Sequence, residues 1–575
     1  MSSERESVSI RLQQLHLPVT HTREELEKCV AAKLGIPVDA MREVTILKQS
    51  LDARRKREIA YVYDVAVAVA KGCRLRGKQG SDWSFYEPVL YEPKRGDGKA
   101  LSKRPVIIGA GPAGLFAAYV LAGAGHRPIV IERGKAVPER IADVEKFFAT
   151  GVLEPNSNVQ FGVGGAGTFS DGKLNTLIKD RDGRGNYVLR TFVKFGAPEE
   201  ILYRNKPHIG TDRLRAVVSG MQEAIERLGG TVMTHTTVTG FTIEDERLTA
   251  VHCTGESGDI TIDTDIAVLA IGHSARDTVQ WLCESGFAME PKAFAMGVRV
   301  QHNREWVNRT QYGDAAELLP SADYKLTHTC RDGRGVYSFC MCPGGFVVNA
   351  SSEPGRLAIN GMSNFDRMAD NSNSAIVVTV TPDDFREDYE NLRARGAELR
   401  EHLKKEEQMR DSGKWQCTYV PKLSEIAEPL IGMEYQRRLE ELAFLAGRGA
   451  IPTQRYEDFR EGRPSTGCGT ISPVNKGAVH YTDLHECLPE YMADAIGEGM
   501  EAFERSMPGY GCDDALLQAI ESRTSSPVRI NRDETLQAVG IAGVYPCGEG
   551  AGYAGGIMSA AIDGIRVAEE IMKNN

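Results

Sequence analysis

"RPVIIGAGPAGLFAAYVLAGAGHRPIVIERG", residues 104–134, decides the fold. Val106 to Ile108 is a short β-branched run between a proline and a glycine, which suits a buried strand. "AGLFAAYVLAGAG" has the composition of an apolar helix, and "PIVIERG" supplies a second buried strand that ends on a carboxylate, Glu132. Between first strand and helix stands G-x-G-x-x-G, at Gly109, Gly111 and Gly114. Gly109 makes the tight turn, Gly111 lets the backbone approach a pyrophosphate, and Gly114 lets helix and strand pack closely. The helix opens at Pro112 and Ala113, where unpaired N–H groups and the positive dipole end face the phosphates. Glu132, with Arg133 beside it, is placed to bond an adenosine ribose. Together these features predict a Rossmann-type dinucleotide-binding unit.

A second G-x-G-x-x-G follows in "NVQFGVGGAGTFSDGKL" (158–174), at Gly162, Gly164 and Gly167. It lacks the context of the first: "SNVQF" is a poor buried strand, and "TFSDGKLNT" does not continue as an apolar helix. It reads as a glycine-rich loop passing close over a ligand, with Gly164 and Gly165 where side chains would collide. Ser170, Asp171 and Lys173 then lie near that ligand, with Lys173 either beside it or in a surface salt bridge.

The C-terminal stretch "GVYPCGEGAGYAGGIMSAAIDGIRVAEEIM" (543–572) is a strand, a glycine-rich acidic turn and an amphipathic helix. It resembles the second FAD signature of glutathione-reductase-type flavoproteins. The resemblance implies contacts from Gly548 and Glu549, and a helix opened by Gly555, Gly556 and Ile557 toward the flavin. "DIAVLAIGHSARDT" (265–278), ending its strand at Gly272, and "GTVMTHTTVTGF" (230–241), with Val238 near the adenine, resemble further strands of that superfamily. Adding "QFGVGGAGTFSDGKLNT", "FCMCPGGFVVNASSE", "NGMSNFDRMADNSNSAIVV" and "SRTSSPVRI", the chain is similar to the bacterial FAD-dependent dehydrogenases of poorly defined function. That implies a non-covalently bound FAD and fixes no substrate.

Outward from these motifs, the expected fold class is α/β. A Rossmann-type FAD-binding domain (105–290 and 521–575) is interrupted by a mixed α+β substrate or cap domain (291–520). An N-terminal ferredoxin-like domain (1–92) precedes it through a polar linker (93–104). The first domain reads β-α-β-β, with Thr22, Glu25 and Gly35 as the start and stop signals of its helix. Its basic run "DARRKRE" (52–58) reads as a hairpin tip. In the cap, strands are expected at 293–302, 335–351, 356–361 and 374–381, then a charged helix over 384–410.

Four residues are candidates for chemistry. His273 and Arg276 follow the carboxyl end of a parallel strand, where such sheets place ligands. His273 either shuttles a proton or caps the turn. Cys340 and Cys342 in "CMC" alternate along a strand and form either a redox pair or two structural thiols. Arg299, Arg523 and Arg529 either bind an anionic substrate or brace the cap.

The 575 residues carry 41% hydrophobic and 26% charged side chains and a net charge of −10, an ordinary globular balance that argues against a protein that coats nucleic acid. No apolar run approaches a membrane span, no signal peptide opens the chain, and the 12 cysteines show no zinc-ligand spacing. A cytoplasmic protein without a metal is the expectation. The function read here is an FAD-dependent oxidoreductase acting on a small-molecule substrate or electron acceptor. NAD(P)H enters only as a transient reductant, because no second Rossmann unit is present to hold it. Two alternatives stay open: an RNA-acting flavoprotein that uses the N-terminal domain, and a non-catalytic FAD scaffold. The sequence does not fix the oligomeric state.

Overall fold

A computed structural model describes residues 7–94, 101–176, 178–405 and 419–573. Val106–Ile108 is a strand with all three side chains buried. It lies in a five-stranded sheet, in the order 544–546, 267–269, 106–108, 129–131, 231–233, with every pairing parallel. Gly109 leaves the strand at φ +102°. A Cβ there would lie 2.3 Å from the Ala270 carbonyl oxygen, so the turn admits only glycine. The helix Pro112–Gly123 follows, with Gly111 as N-cap and ten buried residues. A Cβ on Gly114 would lie 1.9 Å from the Gly109 oxygen, which explains the third glycine of the motif. The C-terminal helix Ile557–Lys573 packs on this one, and Gly564 allows the approach: its Cβ would lie 2.1 Å from the Ala113 oxygen.

The chain leaves the parallel sheet through Met289–Pro291 and returns through Val528–Ile530, and these two strands pair antiparallel. Between them lies a seven-stranded sheet, in the order 327–329, 335–342, 371–380, 294–303, 516–521, 451–455, 479–481. The strand Leu516–Glu521 is a full member of that sheet, so the cap sheet reaches the end of the predicted 291–520 insertion. The expected run 335–351 is two strands, Gly335–Cys342 and Phe346–Asn349, parted by a turn at Pro343–Gly345. The charged helix spans Pro382–Lys405, and residues 406–410 of the expected run lie outside the described residues. It is more than a solvated layer: Phe385, Tyr389 and Leu392 are buried, and Phe385 stacks on Phe294 at 5.0 Å.

The N-terminal domain forms a four-stranded antiparallel sheet, in the order 41–52, 60–70, 7–18, 84–85. Thr22 and Glu25 close a capping box on the helix Arg23–Leu34, and Gly35 ends it at φ +67°. The strand order is that of a ferredoxin-like fold. The second crossover helix of that fold is missing, since residues 71–83 form no helix before the two-residue last strand. The basic run is a hairpin tip in which Arg54 pairs with Asp52 at 2.6 Å and Arg55 with Glu58 at 3.3 Å. The linker residues 95–100 lie outside the described residues.

Candidate functional site

The two glycine runs meet. The Gly164 N–H donates to the Ala110 carbonyl at 2.8 Å, and a Cβ on Gly165 (φ +60°) would stand 3.1 Å from the Gly111 Cα. The second run therefore lies against the first at the carboxyl end of the parallel sheet. Residues 158–164 form neither strand nor helix, and Gly165–Phe169 makes only a short 3-10 turn.

Such a loop, buried and without a ladder, needs other partners for its backbone groups. Two charged side chains supply them. The Glu132 carboxylate accepts N–H bonds from Ala110 (2.8 Å), Gly134 (2.9 Å) and Gly162 (3.0 Å). Arg140, fully buried on the helix Val137–Thr150, donates to the carbonyls of Asn158, Val159, Gly162, Val163 and Gly165 at 2.9–3.2 Å. Arg140 was not legible as a site residue. Its partners lie 18 to 25 positions away and are all main-chain atoms.

A cavity of about 250 Å³ opens over this junction. From the parallel-sheet domain it is lined by Gly109, Gly111, Pro112, Ala113, Glu132, Arg133, Gly165, Val238, Gly272, His273, Glu549, Gly555, Gly556 and Ile557, all predicted. Gly114, Gly164 and Gly548 are absent from the lining and support it from beneath. Gly164 has no room for a side chain beside Thr168 and Val218, and the Gly548 N–H donates to Asp563 at 2.9 Å. Arg133 is fixed by Asp277 and Thr278, both at 2.9 Å. Gln160, Phe161 and Ser274 also line the cavity, as do Phe339, Cys340, Asn360, Glu521, Arg523 and Thr524 from the cap side. Of the cap set, sequence reading singled out only Cys340 and Arg523, because cap strands carry no spacing signal for a cleft.

His273 donates through Nδ1 to the Glu549 carboxylate at 2.9 Å, and its buried Nε2 has no partner. The residue lines the cleft, and an unpartnered buried nitrogen of this kind calls for an explanation. Gly555 and Gly556 have no atom within 4 Å of where a Cβ would be, and beside Gly111 only the Gly165 Cα comes that near. The space above the helix starts is thus clear for a bulky ligand, and a dinucleotide cofactor fits this lining.

Beyond those glycines, three predicted site residues lie outside the lining: Arg276, Lys173 and Cys342, which is fully buried. Arg276, a candidate catalytic residue, is outside the lining and 1% exposed. Its guanidinium is committed to Glu440 (2.8 Å twice), Glu353 (2.7 Å) and Gln436 (3.0 Å) of the cap. It joins the cap to the parallel-sheet domain, as does Arg523, which reaches Glu440 at 3.1 Å and Ser274 at 3.0 Å. Burial opposes ionisation of Glu440, yet the two arginines hold its carboxyl well below the usual range. Arg529 pairs with Glu290 across the neck at 3.1 Å, whereas Arg299 pairs with Glu521 at 2.8 Å inside the cap sheet and braces no interface between cap and parallel-sheet domain.

Lys173, expected as a cofactor contact, is also outside the lining. Its ammonium lies 3.3 Å from Asp171, 3.4 Å from the Cys342 sulfur and 3.9 Å from the Cys340 sulfur. Burial works against its charge, but Asp171 and the two thiols raise its pKa above the usual lysine value. Asp171 is itself held below the carboxylate range, against burial, by Lys173 and by Arg367 at 2.6 Å. The two cysteines do not simply alternate: a bulge separates Phe339 from Cys342 and puts Cys340 at φ +43°.

The architecture is thus a five-stranded parallel sheet whose chain is interrupted by a seven-stranded sheet, with a cleft lined from both. Residues 293–421 and 417–524 match the family model "FAD-dependent protein, C-terminal domain-like", and residues 9–68 match a domain of unknown function. An uncharacterized protein of Clostridium beijerinckii is 42% identical over 572 residues, covering 98% of this chain and 99% of that one. The chain belongs to the family of that protein. An L-amino-acid oxidase of Crotalus adamanteus is 48% identical over 62 residues, 11% of this chain and 12% of the oxidase. Among solved structures, E. coli quinol fumarate reductase overlays with a TM-score of 0.33 at 11% identity, covering 83% of this chain and 70% of the other. L-proline dehydrogenase from P. horikoshii gives 0.30 at 14% identity, with 83% and 95% covered. No helix among the described residues is long and apolar enough to cross a membrane.

Proposed function

We propose that this chain is an FAD-dependent oxidoreductase that binds its flavin without a covalent bond and acts on a small-molecule substrate or electron acceptor beneath the cap. The observation that carries the reading is the packing of the second glycine run onto the dinucleotide turn, where a cleft opens with no atom within 4 Å of a Cβ on Gly555 or Gly556. FAD, when bound, supplies the two-electron redox chemistry. The chain's own residues bind, orient and shield. The Gly109–Ala113 turn and the helix it opens offer N–H groups to the pyrophosphate. Glu132 keeps lone pairs for a ribose hydroxyl beyond its three backbone donors. The start of the helix Ile557–Lys573 favours negative charge next to it. His273, oriented by Glu549 through Nδ1, lines the cleft as a polar side chain.

Among the described residues there is one parallel sheet of this type, so NAD(P)H acts as a transient reductant or not at all. The test is the anaerobic visible spectrum of the purified protein before and after adding NADPH, with NADH in parallel. A flavin band bleached by either nucleotide supports a pyridine-nucleotide-dependent enzyme. A band that only dithionite bleaches assigns the reducing role to the enzyme's own substrate or a protein donor. A protein with no flavin band after incubation with FAD overturns the proposal.

A further inference from the structure

We propose that Cys340 and Cys342 are a working dithiol at the cleft, with Cys340 as nucleophile and Cys342 as resolving thiol, and that the substrate class is a small organic disulfide. The inference deepens the flavoenzyme reading and rests on it, since the cleft Cys340 opens into is the one assigned to the cofactor.

Four observations converge on the pair. First, Cys340 lines the cleft while Cys342 is fully buried behind it, the order a nucleophile and its resolving partner need. Second, both are free thiols, and Cys342 Sγ donates to the Cys340 carbonyl at 3.3 Å. Third, the Lys173 ammonium touches both sulfurs and is held in place by Asp171, which Arg367 anchors in turn. A cation in contact with two sulfurs, its side chain 27% exposed, is the partner a thiolate takes. Fourth, Cys340 is held at φ +43° by the bulge, a conformation a side chain adopts at a cost and one that clusters at functional sites. Phe339 and Asn360 give the adjoining wall an apolar surface and a neutral hydrogen-bonding group, suited to an uncharged disulfide.

The charged groups around the pair are Lys173 and Asp171 on the tail of the glycine loop, Arg299 and Glu521 on the cap sheet, and Arg367 on the loop before the strand Asn371–Val380. The neighbouring Cys342 thiol and the two cations Lys173 and Arg299 lower the Cys340 pKa against its burial, while Cys340 and burial raise that of Cys342.

The step balances as follows. The Cys340 thiolate, its proton already released to solvent, attacks one sulfur of R–S–S–R′, forming Cys340–S–S–R, and the R′ thiolate leaves and takes a proton from solvent. Cys342 loses its proton to the second leaving group as its sulfur attacks Cys340, so the Cys340–Cys342 disulfide forms and R–SH departs. The substrate gains two electrons and two protons, and the dithiol loses them.

The test uses reduced, flavin-loaded protein under anaerobic conditions with bis(2-hydroxyethyl) disulfide as the probe. Wild type is expected to lose two titratable thiols, with the missing pair mapping to one peptide holding Cys340 and Cys342. C342S should stop at the mixed disulfide on Cys340, and C340S should not react in this region. As an independent readout, iodoacetamide should label Cys340 first in wild type. K173M should slow that labelling about tenfold near pH 7 and move its pH profile upward, the effect of raising a thiol pKa by about one unit. Unchanged thiol titre in wild type, a C342S protein that forms no adduct, or a K173M profile identical to wild type overturns the inference. If C340S fails to fold, the wild-type titre, C342S and K173M decide it. A protein that keeps its flavin band while its thiols stay inert fails this inference alone; one without a flavin band fails the reading beneath it.

Discussion

Replacing Arg140 with methionine tests the claim that a single guanidinium holds the second glycine run over the cleft. The side chain is fully buried and donates five hydrogen bonds, all to carbonyls between Asn158 and Gly165. Methionine keeps much of the aliphatic volume and strips every donor. Hydrogen bonds to a charged group contribute about 1.5–3 kcal/mol each, which would sum to roughly 10 kcal/mol if they were independent. They are not: the desolvation cost of the buried cation disappears with it, and water can enter beside some of the carbonyls. A net loss of about 3–5 kcal/mol is the expectation for breaking such a site. If about 3 kcal/mol of that falls on the ordering of the loop, the flavin dissociation constant rises about 100-fold. The assay is fluorescence titration of the apoprotein with FAD, with amide exchange followed over residues 158–170. R140K, with three donors on a point charge, should fall between wild type and R140M. An R140M protein that binds FAD within about threefold of wild type, with unchanged exchange in the loop, would refute the reasoning.

Three further outcomes follow from the same structure. Gly165→Val places a side chain at φ +60° and 3.1 Å from the Gly111 Cα, so the purified protein should lose most of its flavin absorbance while the cap's melting transition stays. Glu440→Gln leaves two buried arginines short of their shared counter-charge and should destabilise cap docking by about 3–5 kcal/mol, read as a lower Tm; an unchanged Tm refutes the bracing role. His302 is fully buried between Trp306 and Tyr510, and burial lowers its pKa from 6.5 to about 4. Between those values the unfolded chain binds a proton that the folded one refuses, so stability falls as pH drops from 6.5 toward 4, by up to about 3 kcal/mol. H302F should flatten that part of the denaturation profile. His208, likewise lowered to about 4 by burial and by Arg367, accounts for part of what remains.

What the sequence makes legible here is whatever depends on neighbours along the chain. The dinucleotide turn, the helix it opens and the carboxylate at the second strand's end are all local, and each is found where spacing puts it. The ferredoxin-like strand order is legible for the same reason, but the missing second helix is not, because nothing in residues 71–83 forbids a crossover until the chain is seen to lack one. Arg276 misleads because its position after a parallel strand is the position of a ligand contact, while its partners Glu440 and Glu353 come from a cap that sequence spacing cannot dock.

The second glycine run shows where the boundary lies. Its glycine spacing repeats the first motif, yet the chain gives it neither strand nor helix, so its backbone donors and acceptors have no ladder to satisfy them. The fold answers with one carboxylate for the N–H groups and one guanidinium for the carbonyls. Gly162 is bound by both, its N–H by Glu132 and its C=O by Arg140. Glu132 is therefore the hinge between motif and loop, since the acid placed to meet a ribose also ties the Ala110 turn to Gly162. Glu132→Gln should then do more than weaken a ribose contact. An amide presents one oxygen where the carboxylate presents two, so an N–H of Ala110, Gly134 or Gly162 is left facing an amide NH2. If Glu132 only met the ribose, E132Q would raise the FAD dissociation constant and leave amide exchange over 158–170 in the apoprotein untouched. If it clamps the loop, that exchange must quicken before any flavin is added.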